Sequence, residues 1–213
     1  LDVDEVKSIV EKELGQNWDE IFLEIYPEYF PASIAQVTKA KLLDETSVAI
    51  KIQYPNIKKS IKSQLSLLGL IPKMGNLVPS KKLGVDFSSY QKMIEDTLNQ
   101  ELDYKNEMEN QIEFFNFFKE IEGVNTPTVY PSLCTDTLIV QEFIIGRDFK
   151  TICQSCTYDQ RREVGEMLAK SLLYPLFYKK MAHTDPNPHN YIFSDSGLYL
   201  IDYGQVARFD EHF

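Results

Sequence analysis

Near its C-terminus the chain reads His183-Thr184-Asp185-Pro186-Asn187-Pro188-His189-Asn190, and after the apolar run Leu198-Tyr199-Leu200-Ile201 comes Asp202-Tyr203-Gly204. The pattern is H-x-D-x-x-x-x-N, a short strand, then D-x-G. Those residue types suit metal-assisted phosphoryl transfer. One aspartate takes the nucleophile's proton, while an asparagine five positions on and a second aspartate bring oxygen ligands to Mg²⁺. Far upstream lies Val48-Ala49-Ile50-Lys51, whose lysine could pair the α- and β-phosphates of a nucleotide. Each piece has an ordinary explanation: residues 185–190 as a Pro/Asn turn, 48–51 as a strand ending in a solvated lysine, 202–204 as a strand end. Order, separation and context together favour the chemical reading, because each motif sits in the strand or turn it needs.

The surrounding pattern supplies elements that could position these groups. Val3, Val6, Ile9, Val10 and Leu14 recur at helical spacing, with Gly15 as a stop, and a short second helix would carry Trp18, Ile21 and Phe22. Strands are expected over 23–26, 35–42 and 47–53, with Asp44-Glu45 turning between the last two. Pro55 opens an amphipathic helix, 72–84 reads as a connector, and 86–120 as one long helical region. Strands near 126–130 and 137–143 precede Gly146; a helix over 158–181, kinked or broken at Pro175, leads into the catalytic-type segment. This order predicts an α+β, bilobal protein-kinase-like fold, with an N-lobe over 1–143 and a helical C-lobe, cut short, over 144–213. The crossover at 142–146 would bring Glu142 and Ile144 to a nucleotide held between the lobes.

Composition narrows the alternatives. A net charge of −10 and a pI near 4.8 argue against a nucleic-acid partner, which calls for a basic face. Lys58, Lys59 and Lys62 read as a solvated helix face, as do Lys81 and Lys82. No apolar run reaches the roughly 18 residues of a membrane span; the longest, around 65–71 and 172–178, fit core helices. Cys134, Cys153 and Cys156 suggest a reducing compartment rather than a disulfide framework, and Cys153-x-x-Cys156 lacks the companion pair of a zinc site. The chain begins at Leu1 rather than Met, which reads as a fragment or a processed protein.

One expected signal is missing. Where a Gly-rich phosphate loop should precede the lysine strand stands Pro31-Ala32-Ser33-Ile34-Ala35-Gln36-Val37, a stiffer segment than glycine would make. Thr184 also replaces the arginine of H-R-D. These departures, with Val-Ala-Ile-Lys-Ile-Gln-Tyr-Pro (48–55), Glu-Leu-Asp-Tyr (101–104), Glu107 and Asn110, Asp-Pro-Asn-Pro-x-Asn (185–190) and Asp-Tyr-Gly, resemble the UbiB family of atypical protein-kinase-like proteins, also called aarF-domain-containing or ADCK kinases. The resemblance runs from about Pro31 to Asp210.

It implies a loop in which Ala32 and Ser33 contact the nucleotide, Lys51 pairing with Glu107, Asp185 as the catalytic-loop aspartate, and Asn190 and Asp202 as Mg²⁺ ligands. Glu101 and Asp103 match the family's E-x-D element facing the active site. ATP and Mg²⁺ are the implied cofactors. The implied role is support of coenzyme Q (ubiquinone) or related prenyl-lipid biosynthesis, with biosynthetic enzymes and a membrane surface as partners. The implied compartment is the mitochondrion, a plastid, or the cytoplasmic face of a bacterial membrane.

This chain departs from the pattern in its shortened alanine run, in His189 where glycine is common, and in lacking the family's upstream K-x-G-Q motif. If 86–120 were one helix, Asp103 and Glu107 would share a face and repel, a strain that Lys51 or a metal would relieve; otherwise both are solvated and Glu101 pairs with Lys105. Two rival functions remain: a non-catalytic nucleotide-sensing scaffold, and a small-molecule kinase of the aminoglycoside or choline type.

Overall fold

The computed structural model describes residues 1–32, 34–68 and 87–210, the side chains of 64–68 and 87–91 excepted. The expected connector, Lys81, Lys82 and Ser33 lie outside the described residues.

The first core forms where α1 (Val3–Leu14) packs on a four-stranded antiparallel sheet of order β1-β2-β3-β5, with β1 Phe22–Pro31, β2 Ala35–Leu42, β3 Ser47–Gln53 and β5 Leu138–Glu142. α1 starts at a capping box, in which Asp2 and Glu5 each accept the other's backbone N–H. Its buried Val6 and Val10 meet Val48, Ile50 and Ile52, which share one face of β3 because strand side chains alternate. The same alternation turns Lys51 to the opposite face. β2 and β3 match their expected bounds, and the turn at Asp44-Glu45 forms with Glu45 at φ 68°. β1 runs farther than expected, to Pro31, and Trp18–Glu20 make only a single 3₁₀ turn before it.

α2 (Ile57–Leu68) follows β3, with Lys58, Lys59 and Lys62 exposed as expected. The single helix expected over 86–120 is instead two, α3 (Phe87–Glu101) and α4 (Tyr104–Phe118). Asp103 causes the break: its side chain accepts the Asn106 N–H as an N-cap, a role that keeps it outside the helix. It is exposed, so the same-face repulsion with Glu107 does not arise, and Glu101 bonds Gln205 rather than Lys105. The buried stripe of α4 is Tyr104, Glu107, Asn110, Gln111, Phe114 and Phe118, with the polar residues lying between Tyr104 and an aromatic end.

The aromatic end joins a second core with Val124, Ile152, Met181, Tyr191, Phe193, Leu198, Leu200 and Tyr203. A second four-stranded sheet, β4-β9-β8-β6, contributes to it through β4 (Val124–Asn125), β6 (Arg147–Asp148), β8 (Tyr191–Ser194) and β9 (Gly197–Leu200). The expected strand over 126–130 reduces to one bridge, Val129 to Gln141. α5 (Phe149–Ser155) and α6 (Tyr158–Lys179) complete the helices; Pro175 lies inside α6 without ending it, and Met181 belongs to β7 (Met181–His183), which pairs with β10 (Val206–Arg208). The apolar run 172–178 is not the core helix face expected: Leu173, Phe177 and Tyr178 are exposed. The three cysteines are free. Among the described residues no helix is long and apolar enough to cross a membrane.

The β8–β9 hairpin turns tightly enough that Gly197 adopts φ +118°, and a Cβ there would lie 2.5 Å from the Gly123 carbonyl oxygen. Gly197→Ala is expected to cost about 2 kcal/mol or more through strain and displacement of β4; a urea unfolding midpoint within error of wild type would show that the hairpin does not need glycine.

Candidate active site

Lys51 reaches from the middle of β3 toward α4. Its Nζ donates to Glu107 Oε1 at 2.6 Å and to Asp202 Oδ2 at 2.9 Å, and lies 5.2 Å from the centroid of the buried Tyr104 ring. Glu107 is nearly sealed from solvent, at 3% side-chain exposure, whereas Asp202 is open at 36%. The electrostatics follow from that difference. Burial pushes Glu107 up to about 7, against the pull of Lys51 and helped by Asp202. Burial works in the same sense on Asp202, but Lys51 and the Gly204 N–H hold it below the usual carboxylate range. Burial would discharge Lys51, yet Asp202 and Glu107 keep its ammonium protonated well above the ordinary range. One cation between two anions is the arrangement that makes this burial tolerable.

Asp185 and Asn190 form a second pair across the turn after β7. Asn190 Nδ2 donates to both Asp185 O and Asp185 Oδ2 at 3.1 Å, leaving Oδ1 as the amide atom that could ligate a metal. The Ile201 N–H donates to Asn190 O at 3.0 Å, so the start of β8 and the end of β9 carry Asn190 and Asp202 side by side in the fold. Both offer oxygen, the hard donor that Mg²⁺ takes, and Mg²⁺ characteristically uses one or two protein ligands with phosphate and water. Among the described residues no group of three or more His, Cys, Asp or Glu could hold a metal by itself. The donor set fits a nucleotide-borne Mg²⁺.

The remaining expected residues are more dispersed. The Ala32 N–H donates to Ala35 O, closing the β1–β2 turn, and Ala35 pairs with Gln53, two residues along β3 from Lys51. Glu142 lies opposite Val48, its carboxylate accepts the Thr128 N–H and its own N–H donates to Thr128 O, so its main-chain carbonyl is what it could offer a nucleotide. Ile144 is half-buried just beyond β5. Glu101 accepts from Gln205 Nε2 at 2.6 Å, while Asp103 is occupied by its cap.

The buried polar partners around Asp202-Tyr203-Gly204 are not readable from spacing. His183 Nε2 donates to Asp202 O at 2.8 Å, and Gln141, whose Oε1 accepts from Gln111 Nε2, donates through its Nε2 to Ile201 O. The Tyr203 hydroxyl donates to Leu200 O and lies 2.6 Å from Thr126 Oγ1. Only His183, through its place in H-x-D, carries a sequence signal.

A sheet-and-helix N-terminal half, a lysine–glutamate pair and two acidic loops at one end of a hairpin define a protein-kinase-like protein. The ABC1 atypical kinase-like domain matches residues 1–213, and the chain belongs to that family. It is 30% identical to the atypical kinase COQ8B, mitochondrial, of Rattus norvegicus over 98% of this chain and 39% of that protein. It is 28% identical to the atypical kinase COQ8, mitochondrial, of Saccharomyces cerevisiae over 98% of this chain and 42% of that protein. The chain thus spans about two fifths of the length of these relatives. The structure of Rv3197 from Mycobacterium tuberculosis, solved with erythromycin, superimposes with a TM-score of 0.83 at 27% identity, covering 98% of this chain and 52% of that one. The α+β kinase-like expectation and the UbiB/ADCK resemblance both hold.

Because the folded protein binds the Glu107 proton more tightly than the unfolded chain does, Glu107 contributes stability that is present below pH 4.5 and lost as pH rises through about 7. Glu107→Gln should therefore destabilise more at pH 5 than at pH 8, by about 2 kcal/mol. Urea midpoints at the two pH values check the sign; a larger loss at pH 8 would refute it.

Proposed function

We propose that this chain carries the phosphoryl-transfer site of an atypical Mg²⁺-dependent, ATP-binding kinase or ATPase that serves coenzyme Q or related prenyl-lipid biosynthesis. The observation that carries the reading is the Lys51 ammonium held between Glu107 and Asp202. Such a group is fixed, permanently charged and ready to donate to the α/β-phosphates. The proposed lobes are 1–143 and 144–213, with α4 reaching from the first into the second core.

Within this reading Glu107 orients Lys51, and Asp202 and Asn190 provide the metal ligands. Mg²⁺, when bound, supplies positive charge to the phosphate oxygens. Ala32, Ser33 and the main chain at Glu142 and Ile144 contact the nucleotide. With Oδ2 taken by Asn190, Asp185 has Oδ1 to accept the proton of the attacking hydroxyl or water. The oxygen of that hydroxyl or water bonds the γ-phosphorus, the bond from the γ-phosphorus to the β–γ bridging oxygen breaks, and ADP leaves. Glu101 and Asp103 would face the site, with Gln205 tying the first to the segment after D-Y-G. The names of the rat and yeast relatives support a mitochondrial setting, and a chloroplastic relative of Arabidopsis thaliana supports a plastid one.

Asp202→Asn removes a metal-ligating charge and half of the Lys51 cradle, so Mg²⁺-dependent ATP consumption should fall by a factor of about 100 or more. Turnover measured with and without phospholipid vesicles tests it. Near-wild-type turnover in the variant would overturn the metal assignment, and nucleotide binding without turnover in either protein would favour a sensing scaffold.

A further inference from the structure

Asn110 lies one turn beyond Glu107 on the buried stripe of α4 and is wholly enclosed. Its Nδ2 donates to Tyr203 O at 3.0 Å, and its Oδ1 accepts from Arg208 Nη2 at 2.9 Å. Arg208 Nη2 also pairs with Glu113 Oε2 at 2.7 Å. Only one orientation of the amide serves both neighbours, since a guanidinium can only donate and a carbonyl can only accept. Arg208 therefore fixes which end of Asn110 faces the Asp202-Tyr203-Gly204 segment.

That segment lies between β9 and β10 and has no strand ladder to hold it. Its carbonyls are held by side chains instead. Gln141 takes Ile201 O, His183 takes Asp202 O and Asn110 takes Tyr203 O, at 3.3, 2.8 and 3.0 Å. Tyr203 O and the Gly204 N–H belong to one planar peptide, and that N–H donates to Asp202 Oδ1 at 3.0 Å, so holding Tyr203 O fixes the donor that orients the Asp202 carboxylate.

We propose that Asn110 is a positioning residue: by binding Tyr203 O to α4 it sets how the Asp202 carboxylate is presented to Lys51 and to a nucleotide-borne divalent cation. The role toward the cation rests on the phosphoryl-transfer reading; the backbone constraint does not. α4 thereby controls Asp202 twice, through Glu107 and Lys51 at the carboxylate and through Asn110 at the main chain. A shift of α4 that withdrew Glu107 would loosen the metal ligand as well.

Two measurements on wild type, Asn110→Ala and Arg208→Ala test this. The first is hydrogen–deuterium exchange of residues 202–206 without nucleotide. The second is binding of a fluorescent ATP analogue, with Mg²⁺ titrated and with Mg²⁺ absent. Loss of one buried hydrogen bond should speed exchange in that segment about tenfold in Asn110→Ala and raise its Mg²⁺ half-saturation by about the same factor. Metal-free nucleotide affinity should stay within about twofold. Arg208→Ala, at a half-exposed site, should show the same pattern, and it decides the matter if Asn110→Ala fails to fold.

Unchanged exchange and Mg²⁺ half-saturation would overturn the proposal. So would exchange that rises evenly along the chain, or metal-free affinity that falls as far as the Mg²⁺ response. If wild type binds no nucleotide at all, the phosphoryl-transfer reading fails, and exchange alone then decides the backbone constraint.

Discussion

A lysine ammonium shared by two carboxylates governs the interior of this protein. Lys51 comes from the sheet, Glu107 from α4 and Asp202 from the segment after β9, so one cation joins three otherwise separate pieces of chain. None of the three could be buried alone without a large desolvation cost, and removing one partner leaves an uncompensated charge. Several other buried polar side chains follow the same rule. Gln141, Gln111, Asn110, His183 and Thr126 each have a defined partner, and together they convert an irregular loop into a fixed one.

α4 shows how local sequence supports that arrangement. After Tyr104 its buried stripe carries Glu107, Asn110 and Gln111, bonded to Lys51, Tyr203 O and Gln141, and ends with Phe114 and Phe118, which meet the second core. These polar groups are tolerated because each is bonded, while the Asp103 cap satisfies the Asn106 N–H at the helix start. A helix continuous from α3 would have no such start point.

The strands around Lys51 were legible because a period-2 pattern with β-branched residues also determines which face each side chain takes. The pairs Asp185–Asn190 and Asp202–Gly204 were legible because their spacing is chemical. The break at Leu102–Asp103 was missed because apolar spacing continues across it, although an aspartate placed three residues before Asn106 is an ordinary helix-start signal. The exposed face of α6 was misread because an apolar run shows affinity for cover without showing what covers it. Partners such as Asn110 to Tyr203 O were invisible, since a buried amide meeting a distant carbonyl leaves no periodic trace.

The parallel pairing of β4 with β9 bears on the order of assembly. Asn125 bonds Leu198 O across a separation of 73 positions, whereas β8 and β9 are joined by a two-residue turn. A hairpin of that kind closes in microseconds, while a contact so distant along the chain waits on a costly loop closure. On a ribosome, β4 emerges long before its partner exists. Asn190 and Asp202 flank the hairpin, one at each base, so local closure alone can set their relative position. The two groups proposed to share a metal thus need only a local closure to be registered to each other, whereas registering either to Lys51 needs a long-range one.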